Sequence, residues 1–323
     1  MCFYFFIFEQ YTFSRSSLKI YKGLGNFKKI ENAVITTGTF DGLHKGHKNI
    51  LSELTKNKSS QESVLITFSP HPRQVIFPDQ SIKFINTFDE KIELISNYKV
   101  DHLIIQEFNL EFSRISSLEY IRDILKNKIG LKKLIVGHDH HFGRNREASI
   151  KQVREYAELY DFEVYEIPPL QLNGIVVSST KIRNALKVGD VELANNLLGY
   201  HFCFEGKVIH GKGMGKKIGF PTANILASNK NKIIPGNGVY AVTVDLENKK
   251  YKGMLNIGFN PTFNEKKLSV ELNIFNFQSI IYGKQIKVFF KKRIRDEKKF
   301  NSPEELKSQL LKDKDFVKKI LSF

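Results

Sequence analysis

"VITTGTFDGLHKGHKNIL", residues 34 to 51, breaks an apolar run into glycines, an aspartate and two histidines three positions apart, then resumes at helical spacing. An apolar run, a glycine-containing turn and an amphipathic run read as strand, loop and helix, the geometry that turns backbone N–H groups toward a phosphate. Gly38 and Gly42 allow close backbone approach, and Asp41 is available to cap the turn. His44 and His47, with Gly46 between them, can donate to the oxygens of one polyphosphate as negative charge shifts onto them. On these residues alone, a metal pair or polar surface histidines fit the same pattern.

Working outward, strand-like and helix-like segments alternate. "AVITTG", "SVLITF", "DHLIIQEF", "LKKLIVG" and "FEVYEI" read as strands, and "KGHKNILSELTKN" as a helix with Ile50, Leu51 and Leu54 on one face. "NTFDEKIELISNY" and "SSLEYIRDILKNKIG" open with capping boxes, Thr87 with Glu90 and Ser116 with Glu119, and the second stops at Gly130. "SIKQVREYAELY" is the next helix, and "SSTKIRNALKVGDVELANNLLG" supplies helical turns up to Gly199. Alternation of this length predicts a mostly parallel sheet with right-handed crossovers and ligands outside the carboxyl ends of its strands. After Gly199 the texture changes to strands separated by turns, ending in "NSPEELKSQLLKDKDFVKKIL" with Ser302 as N-cap, Pro303 at the first helical position and Glu305 closing the box. A small antiparallel barrel with a C-terminal helix is expected there. The fold class is therefore α/β, a Rossmann-like parallel-sheet domain followed by a small β-barrel domain. The expected boundaries are 18–199 and 200–323, after an extension at 1–17.

Bulk composition bounds the function. With 323 residues, 41% hydrophobic and 26% charged, the chain has the length of two ordinary globular domains. Its formal charge of +16 is spread along the chain, and an excess of Lys, Asn, Ile and Phe without Trp also follows from an AT-rich coding sequence. A solvated basic surface that accepts anionic small substrates is the simpler reading. Cys2 and Cys203 have neither disulfide-framework nor zinc spacing, so a cytoplasmic location is the default. "MCFYFFIFEQYTFSRSS" has no basic n-region or cleavage pattern and is too short to span a bilayer; the interpretable fold begins at "LKIYKGL", with Leu18 a candidate translation start.

A second motif joins the histidine loop. In "VSSTKIR", residues 177 to 183, Ser178, Ser179 and Thr180 open a helix with hydroxyls and N–H groups, and Arg183 follows within a turn with a planar fork suited to phosphate. A Ser/Thr cluster at this place is by itself an ordinary N-cap. "GTFDGLHKGH" with "SSTKIR" resembles the HxGH nucleotidylyltransferase superfamily, and "TFSPHP" (67 to 72) with "VGHDHHFGRNRE" (136 to 147) narrows the resemblance to the adenylyltransferase module of bacterial FAD synthetases. The resemblance implies transfer of AMP from ATP to FMN with release of pyrophosphate. His44 and His47 would contact the ATP phosphates, Gly38, Phe40 and Asp41 would shape the nucleotide loop, Ser179, Thr180 and Arg183 would hold the triphosphate from the other side, and His71 and Asp139 would lie toward the flavin or adenine. The chain departs from the pattern at His140, where an aromatic residue is usual, and at Ala148, where glycine is common. The cluster His138, Asp139, His140, His141 is a poor metal site, because neighbours on a strand face opposite ways.

"GKVIHGKGMGKKIGFPTANI", residues 206 to 225, is glycine-rich and basic: Gly211, Gly213 and Gly215 let backbone donors wrap an anion, and Lys216 and Lys217 add charge. The glycines alone also fit a hairpin tip. "GFPTAN", "GVYAV", "NIGFNPTF", "VELNIFNF", "IYGKQI" and "RIRDEKKFNSPEEL" resemble the riboflavin kinase signature, and the order of the two modules is that of the bifunctional riboflavin kinase/FAD synthetase family. The resemblance spans residues 18 to 323. It implies ATP as co-substrate, Mg²⁺ beside Thr222 and Asn224, and Glu271 as the base that takes a proton from the riboflavin hydroxyl. Lys216 stands where arginine is usual and Asn273 where histidine is common. Riboflavin, FMN and ATP are the expected partners, with self-association left open and no membrane. A non-catalytic nucleic-acid binder is the alternative class, but the barrel motifs lack the exposed stacking aromatics of RNA readers.

Overall fold

The computed structural model describes residues 18–56, 61–78, 82–138, 143–144, 148–211, 215, 218–262 and 265–321. The chain forms two compact units, one from the described residues of Met1–Thr39, Lys48–Pro78 and Phe88–Pro168, the other from those of Phe40–His47, Asp79–Thr87 and Pro169–Phe323. The barrel therefore shares its compact unit with three segments that precede residue 200.

In chain order the first unit contains β1 (Lys19–Lys22), β2 (Ala33–Thr37), α1 (Lys45–Leu54, shared with the second unit), β3 (Ser63–Ser69), α2 (Pro72–Ile76), α3 (Phe88–Ser96) and β4 (His102–Glu107). It continues with α4 (Ser117–Glu119), which runs on as π-type turns over Tyr120–Ile129, then β5 (Leu131–Gly137), α5 (Ile150–Tyr160) and β6 (Glu163–Ile167). The six strands form a parallel sheet in the order β1-β4-β3-β2-β5-β6. All five residues of β2 are buried, as expected for a central strand covered on both faces. Ile35, Val64, Ile66, Ile104 and Leu134 pack against Ile121, Leu125 and Ile129 to make the core.

Winding runs one way from β2 through β3 to β4 and the other way from β5 to β6. The loop after β2 thus leaves the sheet at its topological switch point, where open α/β sheets place ligands. The Ser116–Glu119 box forms as expected: the hydroxyl accepts the Glu119 N–H at 3.2 Å and the Glu119 carboxylate accepts the Ser116 N–H at 2.9 Å. Gly130 ends that helix at φ 99°, and a Cβ there would stand 1.8 Å from the Ile30 carbonyl oxygen.

The second unit contains a two-stranded β7 (Gln171–Leu172) and β8 (Ile175–Val176), then α6 (Ser179–Val188) and α7 (Val191–Leu198), which break at Gly189. Next come β9 (Cys203–Ile209), β10 (Ala223–Ala227), β11 (Gly238–Leu246), β12 (Lys249–Thr262), β13 (Glu265–Ile274), β14 (Gln285–Arg295) and α8 (Pro303–Ile320). The six strands β10-β13-β12-β11-β14-β9 close into an antiparallel barrel. Glu247 and Asn248 both take left-handed φ, 50° and 62°, the twist a tight two-residue hairpin requires. Barrel residues Phe204, Val242, Leu255 and Leu272 share one core with Ile182, Leu186 and Leu197 of α6 and α7, and with Ile85.

Helix α8 covers an outer patch through Val317 and Leu321, which pack with Phe220, Ala241, Met254 and Phe275. Its start departs from the expected capping box: Ser302 accepts the Glu305 N–H at 3.1 Å, but the Glu305 carboxylate reaches past the cap to the Asn301 N–H at 3.0 Å. Arg295 fixes the helix to β14 by donating from Nη2 to Asp313 Oδ2 at 2.7 Å and from Nε to Oδ1 at 3.1 Å, and Gln309 adds a third donor at 2.8 Å. Asp313 is 3% exposed and the Arg295 side chain 14%, so Asp313→Ala leaves a half-buried guanidinium without its carboxylate. The variant is expected to lose about 1.5–3 kcal/mol in urea unfolding.

Candidate active sites

The loop after β2 is conformationally expensive. Phe40 and Leu43 take φ of 49° and 32°, a region that side-chain-bearing residues avoid, while Gly42 at φ 87° has no such penalty. The Asp41 carboxylate, 5% exposed, holds this shape. Its Oδ1 accepts the N–H groups of Ile85 and Asn86, each at 3.1 Å, and its Oδ2 accepts Arg183 Nη2 at 2.6 Å. The Asp41 carbonyl accepts the Ser179 hydroxyl at 2.8 Å, and the Tyr200 hydroxyl donates to the Gly42 carbonyl at 2.6 Å. Every one of these groups lies in the second unit.

His44 and His47 stack with ring centroids 3.6 Å apart and planes 14° from parallel. His44 Nδ1 accepts the His47 backbone N–H at 3.3 Å. An Nδ1 that accepts is unprotonated, so the neutral ring carries its proton on Nε2 as a donor. A Cβ on Gly46 would come within 3.2 Å of the His44 ring, which explains glycine between the histidines. Phe40 backs His47 at 5.0 Å between centroids.

The expected residues thus divide. Asp41, His44, Gly46, His47, Ser179 and Arg183 come together; Thr180 is exposed on the first turn of α6 beside Ser179. As placed, Arg183 Nη2 is bonded to Asp41, so this edge of the fork ties α6 to the loop. Gly38, in the first unit, donates its N–H to the Ile66 carbonyl at 3.0 Å. His71 caps α2, its Nδ1 accepting the Arg73 N–H at 3.2 Å. Ala148 is fully buried in the first unit's core. Asp139, His140 and His141 lie outside the described residues. Sequence reasoning missed the Ile85 and Asn86 backbone donors, which carry no side-chain signal, and Tyr200, whose only signal is its place after the Gly199 stop.

In the first unit, Tyr120 is buried and donates to or accepts from the Thr37 hydroxyl at 2.9 Å, at the end of β2; burial pushes its phenol well above the ordinary value, opposed by that bond. In the second, burial pushes the Tyr240 phenol up to about 12, with Arg293 pulling the other way.

The barrel holds a second constellation. Glu271 on β13 lies directly opposite Asn224 on β10 and Asn256 on β12, so the pleat puts all three on one face. Glu271 Oε2 accepts the Thr222 hydroxyl at 3.4 Å and Oε1 accepts the Ser269 hydroxyl at 3.0 Å. Asn273, two positions on, donates from Nδ2 to the Pro221 carbonyl at 2.7 Å and so steadies the turn carrying Thr222. A Cβ on Gly211 would fall 1.8 Å from Asn224 Nδ2, and one on Gly215 would fall 2.2 Å from the Phe220 carbonyl and 3.3 Å from the Thr222 hydroxyl. Glycine at 211 and 215 therefore lets the backbone at those two positions approach Asn224 and the turn that carries Thr222. Gly213, Lys216 and Lys217 lie outside the described residues. Asn256 and Ser269 were missed; both follow from strand register, which pairs residues far apart in sequence.

The FAD synthetase family profile matches residues 26–181 and the riboflavin kinase profile matches residues 198–321. The chain belongs to the bifunctional riboflavin kinase/FMN adenylyltransferase family. It is 40% identical over 309 residues to a bifunctional riboflavin kinase/FMN adenylyltransferase of Buchnera aphidicola from Schizaphis graminum, covering 94% of this chain and 98% of the relative. The protein of the same description from Bacillus subtilis is 36% identical, with 87% and 90% covered, and that from Escherichia coli K12 is 32% identical, with 92% and 96% covered. A crystal structure from Streptococcus pneumoniae, described as a macrolide-efflux protein, superposes with a TM-score of 0.85 at 30% identity, covering 94% and 99% of the two chains. Among the described residues no helix is long and apolar enough to cross a membrane.

Family membership makes the Asp41 clamp worth measuring by itself. In a double-mutant cycle of Asp41→Ala and Arg183→Ala followed by urea unfolding, the two losses are expected to be non-additive by about 1–3 kcal/mol. Additive losses would show that the ion pair does not hold the loop.

Proposed function

We propose that the two constellations perform successive steps of flavin cofactor synthesis, with residues 18–199 and 200–323 as the functional halves. The chain is a riboflavin kinase and an FMN adenylyltransferase, using ATP to form FMN and then FAD. The observation that carries this reading is the serial match of both family profiles in one chain, with relatives of nearly equal length that join the same two activities.

In the kinase step, Glu271 takes the proton of the ribityl 5′-hydroxyl as that oxygen attacks the γ-phosphorus of ATP and ADP leaves. Its position supports the role: the hydroxyls of Thr222 and Ser269 orient the carboxylate. A hydroxyl, a carboxamide and one carboxylate form a low-charge oxygen set, which fits Mg²⁺ arriving with phosphate oxygens of its own. Thr222 and Asn224 would hold that ion, and it would supply neutralisation of the transferred phosphoryl charge. Gly211, Gly213 and Gly215 cradle the ATP phosphates, with Lys216 and Lys217 supplying charge.

In the adenylyl transfer step no protein nucleophile is needed. The FMN phosphate oxygen attacks the α-phosphorus of ATP, the bond to the β-phosphate oxygen breaks, and pyrophosphate leaves. His44, through Nε2–H, and His47 stabilise the developing charge, and Gly38, Phe40 and Gly46 shape the backbone around it. Ser179 and Thr180 present the α6 N-terminus to the triphosphate. Arg183 acts partly through Asp41, keeping the loop in register. His71 and Asp139 are assigned toward the flavin or adenine on resemblance alone. The location is taken as cytoplasmic, the default for a chain whose two cysteines have neither disulfide-framework nor zinc spacing.

The two steps separate by mutation. Glu271→Ala is expected to lower FMN formation by about 10²–10⁴-fold while conversion of supplied FMN to FAD persists. His47→Ala is expected to stall the product at FMN. Flavin chromatography checks both, and loss of both activities in both variants would contradict separate sites.

A further inference from the structure

The clamp on Asp41 does not end within the adenylyltransferase match. Ile85 and Asn86, whose N–H groups hold its carboxylate, belong to a short segment bound on its other side by the connection between β10 and β11. Phe84 donates its N–H to the Asn231 carbonyl at 2.7 Å and accepts the Ile233 N–H at 2.9 Å, a parallel bridge that centres on Lys232. The Lys232 ammonium, on a residue only 4% exposed, donates to the Ile85 carbonyl at 2.7 Å and lies 4.7 Å above the Phe202 ring. Burying an ammonium is costly unless its donors are used, so this bond specifies a position as well as filling space. Tyr200 makes the second link, its hydroxyl bridging the Gly42 carbonyl at 2.6 Å and the Asn86 side-chain oxygen at 3.1 Å. A Cβ on Gly42 would meet Ile85 Cδ1 at 2.9 Å, so segment and loop are packed as closely as they are bonded.

We propose that Tyr200 and Lys232, both within the riboflavin kinase match, are positioning residues for adenylyl transfer. They hold segment 84–86 and the Gly42 turn, and through them the Asp41 clamp that sets His44 and His47. The adenylyltransferase loop is therefore incomplete in residues 26–181 alone; its rear wall comes from the kinase half. This inference rests on the adenylyl transfer reading above.

The test uses the full chain, with riboflavin-to-FMN and FMN-to-FAD turnover measured on one preparation. Lys232→Met is expected to lower kcat/KM for FAD formation by about tenfold or more, and Tyr200→Phe by about threefold to tenfold, with FMN formation unchanged. Lys232→Arg, which keeps the charge, is expected to recover most of the loss. Amide hydrogen exchange at Ile85 and Asn86 is expected to speed up in Lys232→Met. Wild-type FAD formation and unchanged exchange in both Lys232→Met and Tyr200→Phe would overturn the proposal, as would equal loss of both activities with a lowered Tm. If Lys232→Met fails to fold, Tyr200→Phe decides by the same readouts. A wild-type protein that makes no FAD would defeat the functional reading, and the exchange comparison would still decide the anchor.

Discussion

A buried carboxylate is tolerated only when its charge is met, and Asp41 meets its charge with Arg183 and two backbone N–H groups. Those three donors come from two stretches far from it in sequence, so one side chain joins the turn after β2, the approach to α3 and the start of α6. The left-handed Phe40 and Leu43 persist because this junction over-determines them. The stacked imidazoles and the Gly46 gap follow from that backbone path, as does the orientation of the His44 donor.

Much of this architecture was legible in the residues. Continuous apolar runs marked the central strands of the parallel sheet, which are covered on both faces, and helical periods marked the helices packed on it. The Ser116–Glu119 box and the Gly130 stop were readable because caps act within four residues. What escaped was whatever depends on distant partners. The guanidinium fork of Arg183 suggests a phosphate in sequence, yet one of its edges meets a carboxylate 142 residues away. His71 also caps a short helix with Pro72 at its first position, a local role that the ligand reading did not include. The Glu305 box signal was read correctly at the hydroxyl, while the carboxylate found the N–H one residue earlier. Segments 40–47, 82–87 and 169–199 also fall in the barrel's compact unit, which no linear boundary at residue 199 conveys.

In the proposed function the two constellations meet the same chemical problem, phosphorus bearing negative charge, with different materials. At the histidine loop, imidazole and helix-terminal N–H groups would serve as donors in the proposed transfer, with no general base required because the attacking phosphate is already ionised. In the proposed kinase step an alcohol must lose a proton, and the acceptor assigned to it is a carboxylate that accepts from two hydroxyls and is flanked by carboxamides across neighbouring strands. The Asn273 departure leaves that carboxylate in place and steadies the Thr222 turn instead.

The central claim is that one chain makes FMN in its barrel and consumes it at the histidine loop. A time course of flavins, separated by chromatography after adding riboflavin, ATP and Mg²⁺ to the purified full-length protein, tests it most directly. The account expects FMN to rise first and then fall as FAD accumulates. No flavin product at all, or FMN that accumulates without ever yielding FAD, would contradict it.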